Sequence, residues 1–421
     1  MKYALALTLL ILSAACNPPP PAPGQALVNK ERIDAVLKEY TDKGAPVGIS
    51  ALIYEDGKEA YYGAFGFADK EAGRPMARDT IAQIYSMTKP VTGVALMMLY
   101  EEGKFQLDDP LAKYLPEFTD TKVFEGMNER NEPILAPPQR PVTVRDITRH
   151  TGGIASGGDK NWVGDMYRYI DPTGWDTSLQ EMGPKLARVP LAYQPGTRWL
   201  YSASVDIQAL LVEKFSGMPF DKFIEERIFK PLGMRDTGYL VSSPEQRARL
   251  AAIYELNKDD GTMSRGDPET VYGYNTRNWP MKWGGAGLVS TLDDYMRFAR
   301  MLLNGGELDS VRLLRPETVQ LMATDAMPKE VTDKQWLPTK GQVGFGIDFA
   351  VRIAPPKNSK EASGAVGEFF WDGKANTLFW VDPKNNIAAV MFTQYFPPQG
   401  LPLHKAFRDA VYHDDPEAYA H

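Results

Sequence analysis

The sequence predicts an α+β fold: an antiparallel sheet flanked by helices, built from both ends of the chain, with a mostly helical lobe between. Three observations point there. Two strand-like segments stand near the N-terminus, and four more lie in the last quarter of the chain. The segments between them read as helices and long Pro/Gly-rich loops. At 421 residues, 43% of them hydrophobic and 24% charged, the chain has ample material for a large core.

Residues 1–15 read as an export signal, with Lys2, the apolar run Ala4 to Leu12 and the small residues Ser13-Ala14-Ala15. That run is too short to span a bilayer. Small residues directly before Cys16 fit lipid attachment there, which would tether the protein to a membrane. Ser13 stands where a lipobox has leucine, and ordinary cleavage after Ala15 is the competing reading. Residues 16–27 are proline-rich and read as an extended tether. Together these segments predict an exported protein, periplasmic or held at the outer membrane as a lipoprotein. The folded domain is expected over 28–421, its sheet lobe over about 28–80 and 340–421 and its helical lobe and loops over about 81–339.

Within that domain, residues 29–43 carry Ile33, Val36, Leu37 and Tyr40 on one side of a helix. Val47 to Tyr54 and Glu59 to Phe67 alternate as strands around a turn at Glu55-Asp56-Gly57-Lys58. Asp79-Thr80 offers cap residues before the next helix. That helix is apolar nearly all round from Val91 to Leu99 and therefore buried, and Gly103 ends it. Pro90 fits only within its first turn. Residues 119–141 and 152–177 read as loops too long to be mere connectors, the kind that often wall a substrate site. Helices are predicted at Val144 to Arg149, Ser204 to Phe215, Phe220 to Phe229, Asp293 to Leu303 and Pro316 to Thr324. Strands are predicted at Phe345 to Ile353, Val366 to Trp371, Thr377 to Val381 and Ile387 to Tyr395. Asp382 to Asn386 forms a hairpin loop, and a closing helix runs from about Leu403 to Tyr412.

Composition removes several function classes. The net charge of −7, without a basic stripe, argues against nucleic acid as a partner. A single cysteine excludes a disulfide framework. The four histidines have no metal-ligand spacing, so neither metal nor cofactor is expected. No Gly-x-Ser-x-Gly elbow is present, and His150 is read as structural. No obligate protein partner is evident.

The chemistry gathers in three short stretches. Ser86-Met87-Thr88-Lys89 is the one Ser-x-x-Lys in the chain, and on a helix it puts a hydroxyl and an amine one turn apart on one face. Such a pair is a nucleophile beside a possible base. At a helix N-terminus, unpaired N–H groups would also stabilise developing negative charge. The second stretch, Tyr201-Ser202-Ala203, follows Pro195 to Trp199 and opens a helix. The third is Trp371-Asp372-Gly373, followed by Lys374 at the end of a strand.

In order and spacing these stretches resemble the serine β-lactamase and penicillin-recognising superfamily, most of all its class C-like, family VIII carboxylesterases. The resemblance runs over nearly all of the chain from about residue 30. It includes Tyr85 to Leu99, Leu107 to Pro110, Val144 to Ile154, Gln194 to Ser202, Gly284 to Arg297 and Phe379 to Pro383. It implies a β-lactamase-like, transpeptidase-like fold and a Ser-Lys-Tyr catalytic set. Ser86 would be the acylated nucleophile, with Lys89 and Tyr201 the pair that moves its proton; either could be the base. The N–H groups of Ser86 and Lys374 would form the oxyanion hole. Trp371, Asp372 and Gly373 would bind substrate, with Gly373 letting the strand come close to it.

Trp371 stands where penicillin-binding relatives carry a lysine, and a tryptophan cannot pair with a carboxylate. That favours a small neutral ester, cleaved by a short-chain esterase. Asp372 departs from the small residue usual in the esterase branch, and Ala203 from the asparagine of β-lactamases. The alternatives on the same fold are a β-lactamase, a D-amino-acid peptidase, an acyltransferase or a non-catalytic cell-wall-binding protein.

Overall fold

Both ends of the chain meet in one eight-stranded antiparallel sheet. The structure is a computed structural model that describes residues 27–267 and 273–412. The export signal, Cys16 and the rest of the tether up to residue 26 lie outside the described residues. Leu27, its last residue, is docked, with its N–H donating to Glu55 Oε1 at 2.8 Å.

In chain order the elements that place the site are α1 (Lys30–Asp42), β1 (Gly48–Glu55), β2 (Lys58–Asp69), β3 (Arg74–Pro75) and α2 (Thr88–Glu101). Next come β4 (Val123–Met127), β5 (Pro133–Ala136), α3 (Val144–Thr148), α4 (Trp162–Ile170), α5 (Leu179–Ala187) and α6 (Ser204–Ser216). The last part holds α7 (Leu292–Leu303), β6 (Val343–Phe345), β7 (Ala350–Arg352), β8 (Phe369–Asp372), β9 (Leu378–Asp382), β10 (Ile387–Thr393) and α8 (Leu403–Tyr412). The sheet runs β6-β7-β8-β9-β10-β1-β2-β3. The seam between chain ends is the β1–β10 pair, in register from Ile49 with Thr393 to Glu55 with Ile387.

Both seam strands are covered on their two faces, which is why they read as unbroken apolar runs. Every residue of β10 is buried. Successive residues of a strand point to opposite faces, so neighbours on β9 report what covers each side. Phe379 packs on Tyr295 of α7, while Trp380 packs on Phe407 and Tyr412 of α8. The sheet is thus a central layer between α7 and the α1–α8 pair.

Most predicted elements are present within a residue or two; the departures have physical causes. The strand expected over 345–353 is broken into β6 and β7 by a turn at residues 346–349, where Asp348 takes φ +58°. Asp79-Thr80 does not cap α2: Thr80 Oγ1 accepts from its own turn, at Ala77 N–H, and Met87 at the cap position makes no side-chain bond. The stretch 119–141 holds the β4–β5 hairpin and 152–177 holds α4. Neither stretch lines the cavity that contains Ser86. Residues 123–126 instead border a separate cleft of about 530 Å³.

Helix α7 enters the core with a buried acid in its first turn. Asp294 accepts from Asp236 N–H at 2.7 Å and from Thr237 Oγ1 at 2.9 Å. Burial outweighs these donors and pushes its pKa from 3.8 up to about 6. The folded state therefore holds a proton that the unfolded state has lost between pH 4 and 6, and stability from this group falls as pH rises through that window. Asp294→Asn should gain stability relative to wild type across it, by at most about 3 kcal/mol. Urea midpoints of both proteins at pH 4 and pH 6.5 check this; parallel pH dependences would refute it.

Candidate active site

Ser86 sits at the bend where β-structure gives way to α2. Tyr85, in the left-handed region at φ +44°, opens a single 3₁₀ turn over Tyr85–Met87, and α2 begins at Thr88. Such a φ is strained for an aromatic residue and must be held by its surroundings. Ile84 N–H donates to Leu288 O at 3.0 Å, and Tyr295 Oη donates to Met87 O at 2.8 Å. Pro90 falls in the first turn of α2, where a missing N–H costs nothing.

Lys89 follows Ser86 by one turn, and its Nζ donates to Ser86 Oγ at 3.2 Å and to Gly285 O at 2.6 Å. The stretch Gly284-Gly285-Ala286-Gly287 forms a strap between two helices. Gly285 N–H donates to Asp206 Oδ1 on α6 at 3.0 Å, and Gly284 O accepts from Thr92 Oγ1 on α2 at 2.7 Å. A Cβ at Gly284 would lie 2.2 Å from Val205 O. The strap can bind α2 and α6 together only because it carries no side chain there.

Tyr201 directly precedes α6. Its Oη accepts from Trp371 Nε1 at 3.3 Å, and Lys89 Nζ lies 4.5 Å from its ring centroid. Behind it is His150, 4.8 Å between centroids. Burial pushes the His150 pKa well below its ordinary value, and nearby Lys89 adds to this, so the ring is neutral. Its Nδ1 accepts from Ser202 N–H at 3.4 Å. His150 supports Tyr201 and does not reach Ser86 Oγ by any hydrogen bond.

A cavity of about 500 Å³ brings Ser86, Tyr201, Asp372, Gly373 and Lys374 together. One substrate-binding assignment changes. Trp371 is fully buried and does not line the cavity; its indole is used up against Tyr201, Phe345 and Trp336. Gly373 lines the cavity, and its missing side chain also lets the chain close on itself, since a Cβ there would lie 2.4 Å from Ile84 O. Asp372 does face the cavity, ion-paired with Lys340. The N–H of Lys374 has no acceptor among the described residues, and Lys374 lines the cavity together with Ser86.

Sequence reasoning missed Lys340, Trp336 and His404, all of which line this cavity. Lys340 ends an irregular 3₁₀ turn, Leu337–Lys340, that carries no motif. The one available signal was Asp372 itself, an acid beside a buried tryptophan that called for a counter-ion.

A family model described as Beta-lactamase matches residues 33–413. The chain belongs to the Beta-lactamase family. It is an enzyme of the serine-hydrolase class on that fold. Among similar proteins is Protein Rv1367c of Mycobacterium tuberculosis, 33% identical over 380 residues, covering 88% of this chain and 91% of the relative. Esterase EstB of Burkholderia gladioli is 28% identical over 405 residues, covering 90% and 94%. The solved structure of EstCE1, described as a hydrolase with promiscuous acyltransferase activity, superposes with a TM-score of 0.76. It covers 91% of this chain and 98% of its own at 24% identity, which speaks to the fold alone.

The strap makes a prediction in this family member. Gly284→Ala should force the strap away from α6, lowering stability by about 1–3 kcal/mol. Because Gly285 O would move off Lys89, turnover should fall more than the melting temperature alone explains. Activity assayed well below the melting midpoint checks this; a variant that melts early yet turns over normally would refute it.

Proposed function

We propose that the protein hydrolyses neutral, short-chain carboxylic esters through an acyl-enzyme on Ser86. The observation that supports this most is the Lys89 Nζ to Ser86 Oγ hydrogen bond, within a cavity also lined by Tyr201 and Lys374. That cavity has the size of a small-molecule site. The relative EstB, an esterase by name, supports ester hydrolysis.

Ser86 Oγ attacks the ester carbonyl and its proton goes to the Lys89–Tyr201 pair, whose amine already touches Oγ. The C–O bond to the alcohol then breaks, and the pair returns the proton to the alcohol oxygen. Water repeats the sequence on the acyl-enzyme, releasing the acid and restoring Ser86. The carbonyl oxygen, negative in both tetrahedral intermediates, is met by the N–H groups of Ser86 and Lys374. One such donor is typically worth about 10²–10³ in rate. Trp371 Nε1 donates to Tyr201 Oη and so orients the hydroxyl.

A fluorophosphonate should label Ser86, and p-nitrophenyl butyrate should be turned over with an initial burst. Ser86→Ala should lower that turnover by at least about 10³-fold. Unchanged turnover in the variant would sink the proposal, and faster acylation by nitrocefin or a D-Ala-D-Ala peptide would move the substrate class. The export reading of residues 1–27 belongs to the same proposal and places the enzyme in a bacterial envelope. Radiolabelled palmitate should enter the expressed full-length chain and be lost in Cys16→Ser; no incorporation in wild type would leave simple secretion.

A further inference from the structure

The inference concerns which substrates the Ser86 cavity admits, and it rests on reading that cavity as the acyl site. Lys340 reaches it from outside the three motifs. Its side chain is 5% exposed and lies over the rings of Trp371 and Trp336, at 5.0 and 5.4 Å from their centroids. A cation so enclosed needs a counter-charge. Asp372, at the end of β8, supplies it as the one carboxylate that contacts Lys340 among the described residues.

His404 does not compete for that carboxylate. Its Nε2 lies 2.9 Å from the Asn376 carbonyl, which requires an N–H there. Burial holds its pKa below the ordinary value, so the ring is neutral and its Nδ1 presents a lone pair. That lone pair stands 3.8 Å from Asp372 Oδ2 and cannot donate to it. Lys340 and Asp372 therefore satisfy one another, and both line the cavity.

We propose that Asp372 is a specificity-determining residue: it holds the ammonium of Lys340 as an internal carboxylate and thereby excludes substrates that end in a carboxylate of their own. A substrate anion entering here meets the like charge of Asp372, and the enclosed ammonium of Lys340 is taken; the other lysine on the cavity, Lys374, is exposed to solvent with its ammonium 4.9 Å from the Phe396 ring centroid. A neutral ester meets a pair whose charges cancel. Without the charge of Asp372, Lys340 becomes a receptor for an external carboxylate in a poorly solvated site. A charge-assisted hydrogen bond of that kind corresponds to about tenfold to a hundredfold in binding.

The test uses full-length protein and two substrates with the same glutaryl backbone, mono-p-nitrophenyl glutarate and its neutral methyl ester. The ratio of kcat/KM for the anionic over the neutral ester should rise at least about tenfold in Asp372→Asn. It should fall back in Asp372→Asn combined with Lys340→Met. Calorimetric binding of hexanoate against hexanamide should show the same pattern with no turnover. A ratio unmoved by Asp372→Asn, or one that stays raised after Lys340→Met, overturns the proposal. Wild type that cleaves neither ester would sink the esterase reading, while hexanoate binding still decides the role of Asp372. If the asparagine variant does not fold, Asp372→Ser enters the same comparisons.

Discussion

The site depends on one buried amine. Lys89 is 5% exposed, and enclosing an amine that deeply costs several kcal/mol unless its hydrogens find acceptors. Here they find Ser86 Oγ and the carbonyl of Gly285, with the face of Tyr201 beside them. Each of those partners is itself pinned. Ser86 is held by the strained bend at Tyr85, Gly285 by Asp206, and Tyr201 by Trp371 and His150. The helices α2 and α6, the glycine strap and β8 are thus brought to one point by the need to satisfy a single nitrogen.

Two further acids sit close to this amine without forming an ion pair with it. Burial raises the carboxyls of Asp206 and Asp348, and the nearby Lys89 opposes the rise in both. Asp206 is used through Gly285 N–H, and Asp348 accepts from Gln208 Nε2 at 3.1 Å. Gly93 on α2 leaves the space for Asp348, since a Cβ there would lie 2.8 Å from its Oδ2. The environment of the amine is therefore set by carbonyls, hydroxyls and hydrogen-bonded acids. This separates it from the Lys340–Asp372 pair, where one cation meets one carboxylate directly. Lys340 lines the cavity while Lys89 is buried behind Ser86, and their arrangements are opposite, one neutralised at the wall and one left with neutral hydrogen-bond partners beside the nucleophile.

The sheet and its covering helices were legible in the sequence because burial writes itself as periodicity. The continuous apolar run of β10 and the all-round apolar surface of α2 both follow from being enclosed on every side. Where the backbone turns for a reason outside its own segment, periodicity says nothing. The break between β6 and β7 places Asp348 beside Gln208 and Gly93, and neither neighbour is near it in the chain. The hairpin inside 119–141 and the helix inside 152–177 were similarly hidden among Pro and Gly.

By itself the sequence determined that Ser86 and Lys89 stand about one turn apart, since three residues make nearly a full turn both of an α-helix and of the 3₁₀ turn that holds Ser86. It also determined that both chain ends supply strands. Tertiary structure alone decided what the third motif does. Trp371, read as a wall facing the substrate, is packed behind Tyr201, and the wall is made by Asp372 with Lys340, thirty-two residues apart in sequence. An ion pair across that separation leaves no local pattern, because charge complementarity acts through space and is indifferent to spacing along the chain.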